Sequence, residues 1–161
     1  MFYFGGTSKK RISEVHKLLQ ELAYKTIETS TVDFGIAKYG GLRTAIEQKQ
    51  LFDKKYSKCD GTIKKSYHQS GLAIDFVPYI NGTYTWADKK AFLAIAQAVF
   101  STWSVLPDKM GFFLHWGGFW GAKDLNFNEL LDLDKELGWD LPHFELRTVE
   151  QTRGVYPISW L

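Results

Sequence analysis

Two short segments, far apart in the chain, constrain the fold more than any other feature. They are Lys65-Ser66-Tyr67-His68-Gln69-Ser70-Gly71-Leu72-Ala73-Ile74-Asp75-Phe76 and Asp140-Leu141-Pro142-His143-Phe144-Glu145-Leu146. Leu72 to Val77 alternates as a strand, with Ala73, Asp75 and Val77 facing one way and Leu72, Ile74 and Phe76 the other. His143 to Leu146 reads as a further strand that carries His143 and Glu145 on one side. If the two strands are neighbours, His68, Asp75 and His143 converge on one point.

Two imidazoles and one carboxylate leave the fourth position of a tetrahedral zinc ion to water. That is the ligand count of a catalytic site and not of a structural one. Asp140, three residues before His143, is a spare carboxylate that can take a proton from such a water and pass it to a leaving amine. Pro142 stiffens the link between the two. Glu145 is either an acceptor for a ligand imidazole or a surface charge. Histidines and carboxylates also fall together by chance, and spacing alone leaves the metal reading and the chance reading open. His16, among charged residues, reads as surface. His115, before Trp116, reads as a core histidine ahead of a cleft residue.

The remaining elements surround this pair of strands. Thr7 and Ser8 can cap a helix running to about Lys25, with Ile12, Val15, Leu19 and Leu22 at helical spacing. Asp33 to Lys38 is a short strand ended by Gly40-Gly41. Thr44 to about Tyr56 is helical, with Ile46 and Leu51-Phe52 as its apolar residues. Asp60-Gly61 marks a turn, and Asn81-Gly82 marks a hairpin or turn. Thr85 with Asp88 resembles a capping box. The following helix carries Phe92, Ile95, Ala96, Val99 and Trp103 on one side and stops at Pro107. Phe112 to Trp116 is a strand. Residues 121–138 are polar and irregular, with a short helix near Asn128–Leu133, and the apolar tail after Arg147 packs back on the domain. This order predicts an α+β fold in which helices pack on a small, mostly antiparallel sheet.

Composition narrows the class. The chain's 161 residues fit one domain, 1–161. A net charge of +2 is too balanced for a nucleic-acid binder. The single cysteine, Cys59, excludes an intrachain disulfide and a cysteine-based zinc site, and it sits in a loop-like polar run. Aromatics at 16%, six of them Trp, belong mostly to the core and can supply a sugar- or peptide-stacking wall. Met1–Gly6 lacks the basic and apolar runs of a secretory signal, and no segment approaches the ~20 apolar residues that span a bilayer. The expectation is synthesis in the cytoplasm and no membrane insertion.

Ser66-x-His68-x-x-Gly71-x-Ala73-x-Asp75, followed by Asp140-x-x-His143, resembles the zinc D-alanyl-D-alanine carboxypeptidase superfamily. Gly41-Leu42-Arg43-Thr44 with Glu47-Gln48 matches its upstream motif. Ser66 to Asp75 and Pro142-His143-Phe144-Glu145-Leu146 resemble its L-alanyl-D-glutamate endopeptidase branch, which includes phage endolysins. The resemblance spans roughly residues 8–147. It implies a hedgehog/D-Ala-D-Ala-peptidase-like fold, with His68, Asp75 and His143 as Zn2+ ligands and Asp140 as catalytic acid/base. It implies that Arg43 binds substrate or stabilises developing charge, a structural ion pair being the alternative, and that Ser66 and Gln69 contact substrate.

Where the family often has Trp-Gly-Gly-Asp-Trp, this chain reads Trp116-Gly117-Gly118-Phe119-Trp120, and Gly121 to Trp139 forms a longer intervening segment. The resemblance further implies cleavage of bacterial peptidoglycan by a monomer without a separate wall-binding domain, released through a membrane lesion. The alternatives are a D-alanyl-D-alanine carboxypeptidase or dipeptidase, and a non-catalytic zinc-containing wall-binding module. The intact Asp140 argues against the last.

Overall fold

The strand expected over Leu72–Val77 does not run straight through one sheet. In a computed structural model, which describes residues 1–120 and 137–152, it divides at Phe76. Strand β2 (Ala73–Asp75) belongs to one three-stranded sheet and β3 (Val77–Ile80) to another. The first sheet has the order β2–β6–β5, with β5 at Phe112–Trp116 and β6 at His143–Thr148. The second has the order β1–β3–β4, with β1 at Phe34–Gly35 and β4 at Thr83–Tyr84. Every pairing is antiparallel. At the switch, the Phe76 amide donates to the Pro142 carbonyl at 2.9 Å, so the bend costs no backbone hydrogen bond. The predicted α+β class stands, with two small sheets in place of one.

Asn81 and Gly82 make the β3–β4 turn with φ of 53° and 81°. Two positive φ values define the turn whose twist matches that of the flanking strands, and Asn-Gly is the pair that tolerates them.

Register in the first sheet separates two chemistries. Ile74 lies opposite Phe144, which lies opposite Trp116, and Leu146 lies opposite Leu114. All five are buried in the main core. That core is completed by α2 (Lys17–Thr29) and α4 (Lys89–Val105), which touch each other. α2 contributes Leu18, Leu19, Leu22 and Ile27; α4 contributes Ile95, Ala96 and Val99. The other face of the same sheet carries Asp75, His143, Glu145 and His115. A period of two along each strand delivers both faces at once.

Several boundaries differ from expectation for local reasons. The first helix is two: α1 (Gly6–Ser13) and α2. The His16 amide leaves the helical pattern to donate to the Gly71 carbonyl at 2.8 Å, and its Nδ1 accepts from the Leu18 amide as the cap of α2. His16 is therefore a half-buried cap, edge-on to Phe112, and not a surface residue. Gly5 precedes α1 without a side-chain cap, while the buried Ser8 hydroxyl accepts from the Ile36 amide. Asp88, not Thr85, caps α4 by accepting from the Ala91 amide.

α3 (Ala45–Asp53) has the Thr44–Glu47 capping box, but its buried residue is Gln48, and Ile46 is exposed. A further short helix, α5, covers Val149–Thr152. The expected helix near 128–133 and the chain beyond 152 lie outside the described residues. Among the described residues no helix is long and apolar enough to cross a membrane.

Phe144 links the two faces, being buried between His143 and Glu145 and packed on Phe76 and Trp116. Phe144→Ala is expected to destabilise the protein by about 3–5 kcal/mol. Urea unfolding followed by tryptophan fluorescence measures this.

Candidate metal centre

Asp75 and His143 face each other across β2 and β6. His68 reaches them from a 3-10 turn, Tyr67–Ser70, whose first residues are fixed by a capping box. The Ser66 hydroxyl accepts from the His68 amide, and the Gln69 side-chain oxygen accepts from the Ser66 amide. His68 Nε2, His143 Nδ1 and Asp75 Oδ1 are mutually 3.1 Å apart. Neighbouring ligand atoms around a tetrahedral zinc, bonded at about 2.0–2.2 Å, stand roughly 3.3–3.6 Å apart, so this donor set closes on such an ion with small adjustments. It is also the group of metal-capable side chains found among the described residues.

Each donor is held from behind. His68 Nδ1 lies 2.8 Å from the Gly41 carbonyl oxygen. Only an Nδ1–H can donate there, so that tautomer leaves the Nε2 lone pair toward the trio. His143 Nε2 lies 2.9 Å from Glu145 Oε2, which reserves Nδ1 for the same point. Glu145 is thus buried and orients an imidazole; it is not a surface charge. Arg147 pins its other oxygen and lies over the Tyr67 ring. Asp75 divides its carboxylate, Oδ1 to the trio and Oδ2 to Arg43 Nη2 at 2.8 Å.

Arg43 is therefore a member of an ion pair with a candidate ligand. Its Nε donates to the Tyr39 carbonyl and its Nη1 to Gln48 Oε1. Among the described residues three of its five N–H groups are used, and one remains on each terminal nitrogen. Gln48 is fixed in turn by donating to the Ser57 hydroxyl and the Cys59 carbonyl.

The charges follow from burial and partners. Burial lowers the pKa of His68 and keeps it neutral. Desolvation works against the Asp75 carboxylate, yet the Arg43 guanidinium and the hydrogen bond from His143 hold its carboxyl well below the usual range. Burial disfavours the His143 cation, but hydrogen bonds to Asp75 and Glu145 outweigh it and push the group up to about 10. A proton and a metal ion would thus compete for His143 Nδ1. Burial would raise Glu145, but its bond to His143 brings it below its ordinary value. Asp140 is pushed up to about 6, chiefly by burial, with His143 opposing and Asp75 reinforcing.

Asp140 lies in a tightly fixed turn. The Trp116 indole donates to the Leu141 carbonyl at 2.7 Å, and the His143 amide to the Asp140 carbonyl. Gly117 lies flush against it: a Cβ there would collide with the Asp140 carbonyl oxygen and stand 2.8 Å from its Cβ.

These groups open into a cleft of about 760 Å³. Ser66, Asp140 and Arg43 line it, with Trp86, Trp120 and Trp139 as aromatic walls and Lys38, Lys58, Lys64 and Lys65 among its basic residues. Trp120 lies on the His143 ring and Lys58 over the Trp139 ring.

Gln69 is placed differently from a substrate contact. Its amide is spent on Ser66 and on the Gly61 carbonyl, away from the cleft lining. His115 is buried under the cleft floor, opposite Glu145, where burial and Arg147 lower it to about 4. Burial raises the Cys59 thiol, which suits an inert loop cysteine. Arg147, Gln48 and Gly117 carry no role in the sequence reading. For Arg147 a signal existed, since residues 143, 145 and 147 alternate onto one strand face.

Residues 1–147 match the model of the phage L-alanyl-D-glutamate peptidase family. The chain is 34% identical over 145 residues to the L-alanyl-D-glutamate peptidase of Escherichia phage T5, covering 90% of this chain and 98% of the relative. The solved structure of the Serratia marcescens L-Ala D-Glu endopeptidase ChiX shares the fold with a TM-score of 0.63 and 24% identity, over 89% of both chains.

The carboxylates around His143 favour its protonated form, so a metal ion bound at Nδ1 competes with that proton. Zinc binding at pH 8 is expected to release about one proton per ion. Calorimetry in buffers of differing ionisation enthalpy measures it, and affinity should strengthen as pH rises toward about 10.

Proposed function

The chain belongs to the family of phage L-alanyl-D-glutamate peptidases, and on that premise we propose that it is a zinc-dependent endopeptidase that cleaves the L-alanyl–D-glutamate bond of the peptidoglycan stem peptide. His68, Asp75 and His143 are the proposed zinc ligands and Asp140 the proton carrier. The observation that supports this most is the position of Asp140. It is a carboxyl of raised pKa in the cleft, beside three donors, two buried and one half-buried, that can share one ion. A purely binding module has no use for such a group.

Zinc, when bound, supplies Lewis acidity toward a water molecule and a peptide carbonyl. The chain's own residues supply the rest. Ionised Asp140 takes a proton at its carboxylate and returns it to the departing amine nitrogen. Its turn is held by Gly117 and Trp116, so the carboxylate cannot drift from the ligand pair it serves. The two unused N–H groups of Arg43 meet the substrate's own carboxylate or the oxygen that gains charge, in a fork that a lysine cannot reproduce. Ser66 borders the same cleft as a substrate contact.

In cells the enzyme acts as an endolysin and a monomer, reaching the wall through a membrane lesion. The base must be ionised, so kcat/KM falls as pH drops through the Asp140 pKa. A divalent ion nearby favours the carboxylate, so that limb should lie at or below about pH 6.

Asp140→Asn is expected to keep the fold and one zinc ion per chain while losing ~10²–10⁴-fold in kcat. The assay is mass spectrometry of digested peptidoglycan. New amino-terminal D-glutamate identifies the proposed bond; release of terminal D-alanine identifies a carboxypeptidase instead. Near-normal turnover by zinc-loaded Asp140→Asn excludes Asp140 as the proton carrier.

A further inference from the structure

A second cavity, of about 700 Å³, opens beside the small β1–β3–β4 sheet. Tyr3, Tyr79 and Tyr84 line it together with Thr7, Asp33 and Lys38. Tyr3 is 73% exposed and Tyr79 is 40% exposed. Single exposed aromatics are ordinary. Tyrosines gathered in a concave site with a few polar groups are how proteins hold a small amphipathic ligand.

The platform is fixed. Tyr79 and Tyr84 meet edge to face at 5.3 Å, and the Tyr84 hydroxyl donates to the Ile36 carbonyl. Gly35 has no room for a side chain against Tyr84, since a Cβ would stand 2.8 Å from its hydroxyl.

One chain segment joins this cavity to the metal centre. Phe34, Gly35 and Lys38 line the second cavity, and Lys38 also lines the first. Two residues on, the Gly40 carbonyl accepts from the Asp75 amide at 2.8 Å, and the Gly41 carbonyl meets His68 Nδ1.

A substrate with the same two-part form exists if the proposed function holds. L-alanine is the first residue of the stem, amide-linked to a lactyl group on a sugar of the glycan strand. At about 3.3–3.6 Å per residue, that sugar lies within roughly 10 Å of the cut bond. A peptidase that acts there must accommodate the glycan beside its cleft. Pyranose rings present C–H faces that stack on aromatic rings, and hydroxyl and N-acetyl groups at their rims that pair with a carboxylate and an ammonium.

We propose that the second cavity is a glycan subsite, in which a sugar of the strand bearing the stem peptide stacks on Tyr79 and Tyr3 while Asp33 and Lys38 meet its polar rim. This rests on the peptidoglycan-peptidase reading. It adds a recognition site outside the metal cleft, with an N-acetylated hexosamine strand as its ligand.

The test uses the zinc-loaded full chain and two substrates: the free stem tetrapeptide, and the same peptide attached to its disaccharide. Tyr79→Ala and Tyr3→Ala should raise KM about five- to tenfold on the sugar-linked substrate and leave the sugar-free peptide unchanged. Tyr79→Phe, which keeps the ring, should retain wild-type KM on both. A peptide-free GlcNAc–MurNAc tetrasaccharide, titrated by NMR, should shift Tyr79 and Tyr3 ring signals in the wild type and not in the Ala variants' remaining ring.

Equal losses on both substrates, or no loss on either, would overturn the proposal. So would a tetrasaccharide that leaves the tyrosine signals unmoved. If the wild type cuts neither substrate, the endopeptidase reading fails, and the titration decides the glycan site by itself. Matching thermal midpoints show that each variant is folded.

Discussion

Asp75 stands directly across an antiparallel ladder from His143, and the site depends on that one register. A slip by a single residue would turn His143 and Glu145 into the core and bring Phe144 out. The same pairing fixes Ile74 against Phe144 on the hidden face. Burying those two aromatic and aliphatic side chains and orienting the two donors are therefore one event. Hydrophobic burial supplies the free energy, and the polar face is held as a consequence. Phe76 extends the constraint by closing a hydrogen bond to Pro142 and carrying the chain into the second sheet.

The polar face concentrates charge that burial alone would not tolerate. Three carboxylates, at positions 75, 140 and 145, sit with two histidines between the guanidinium groups of Arg43 and Arg147. Asp75 and Glu145 each accept from one arginine and one imidazole. Asp140 lacks the strong lowering that an arginine pair gives the other two, and its pKa moves the opposite way. Neighbouring carboxylates thus acquire different tasks from their surroundings. Two act to hold and orient, and one is left able to carry a proton. Pinning from behind matters as much as the donors themselves, since an imidazole free to rotate would present either nitrogen.

Much of this was legible in the chain. His68 lies in the turn before β2 and was legible only through its motif, whereas Asp75 and His143 were recognisable because period-two alternation places donors on a strand face without knowledge of the rest. Phe112–Trp116 and the core side of α4 were readable for the same reason, as periodic patterns long enough to be unambiguous. The missed features all depend on partners distant in sequence. Gly71 breaks the first helix by accepting from His16, and no local propensity signals that. Gln48 is buried because it hydrogen-bonds the polar loop at Ser57–Cys59, while the apolar Ile46 and Phe52 of the same helix stay exposed. Gln69 was given a substrate contact only by the family resemblance, and its amide is committed to the turn that presents His68. Arg43 was open between a substrate role and an ion pair. The structure shows the ion pair, and the described residues leave two N–H groups for the other role.

The account rests on one shared ion between three side chains, so metal content under defined loss of a donor is its most direct test. Elemental analysis of purified protein after exhaustive dialysis should give one zinc per chain in the wild type. The folded His143→Ala protein should hold little or none. Full zinc occupancy in that variant would contradict the donor set and, with it, the mechanism built on Asp140 beside it.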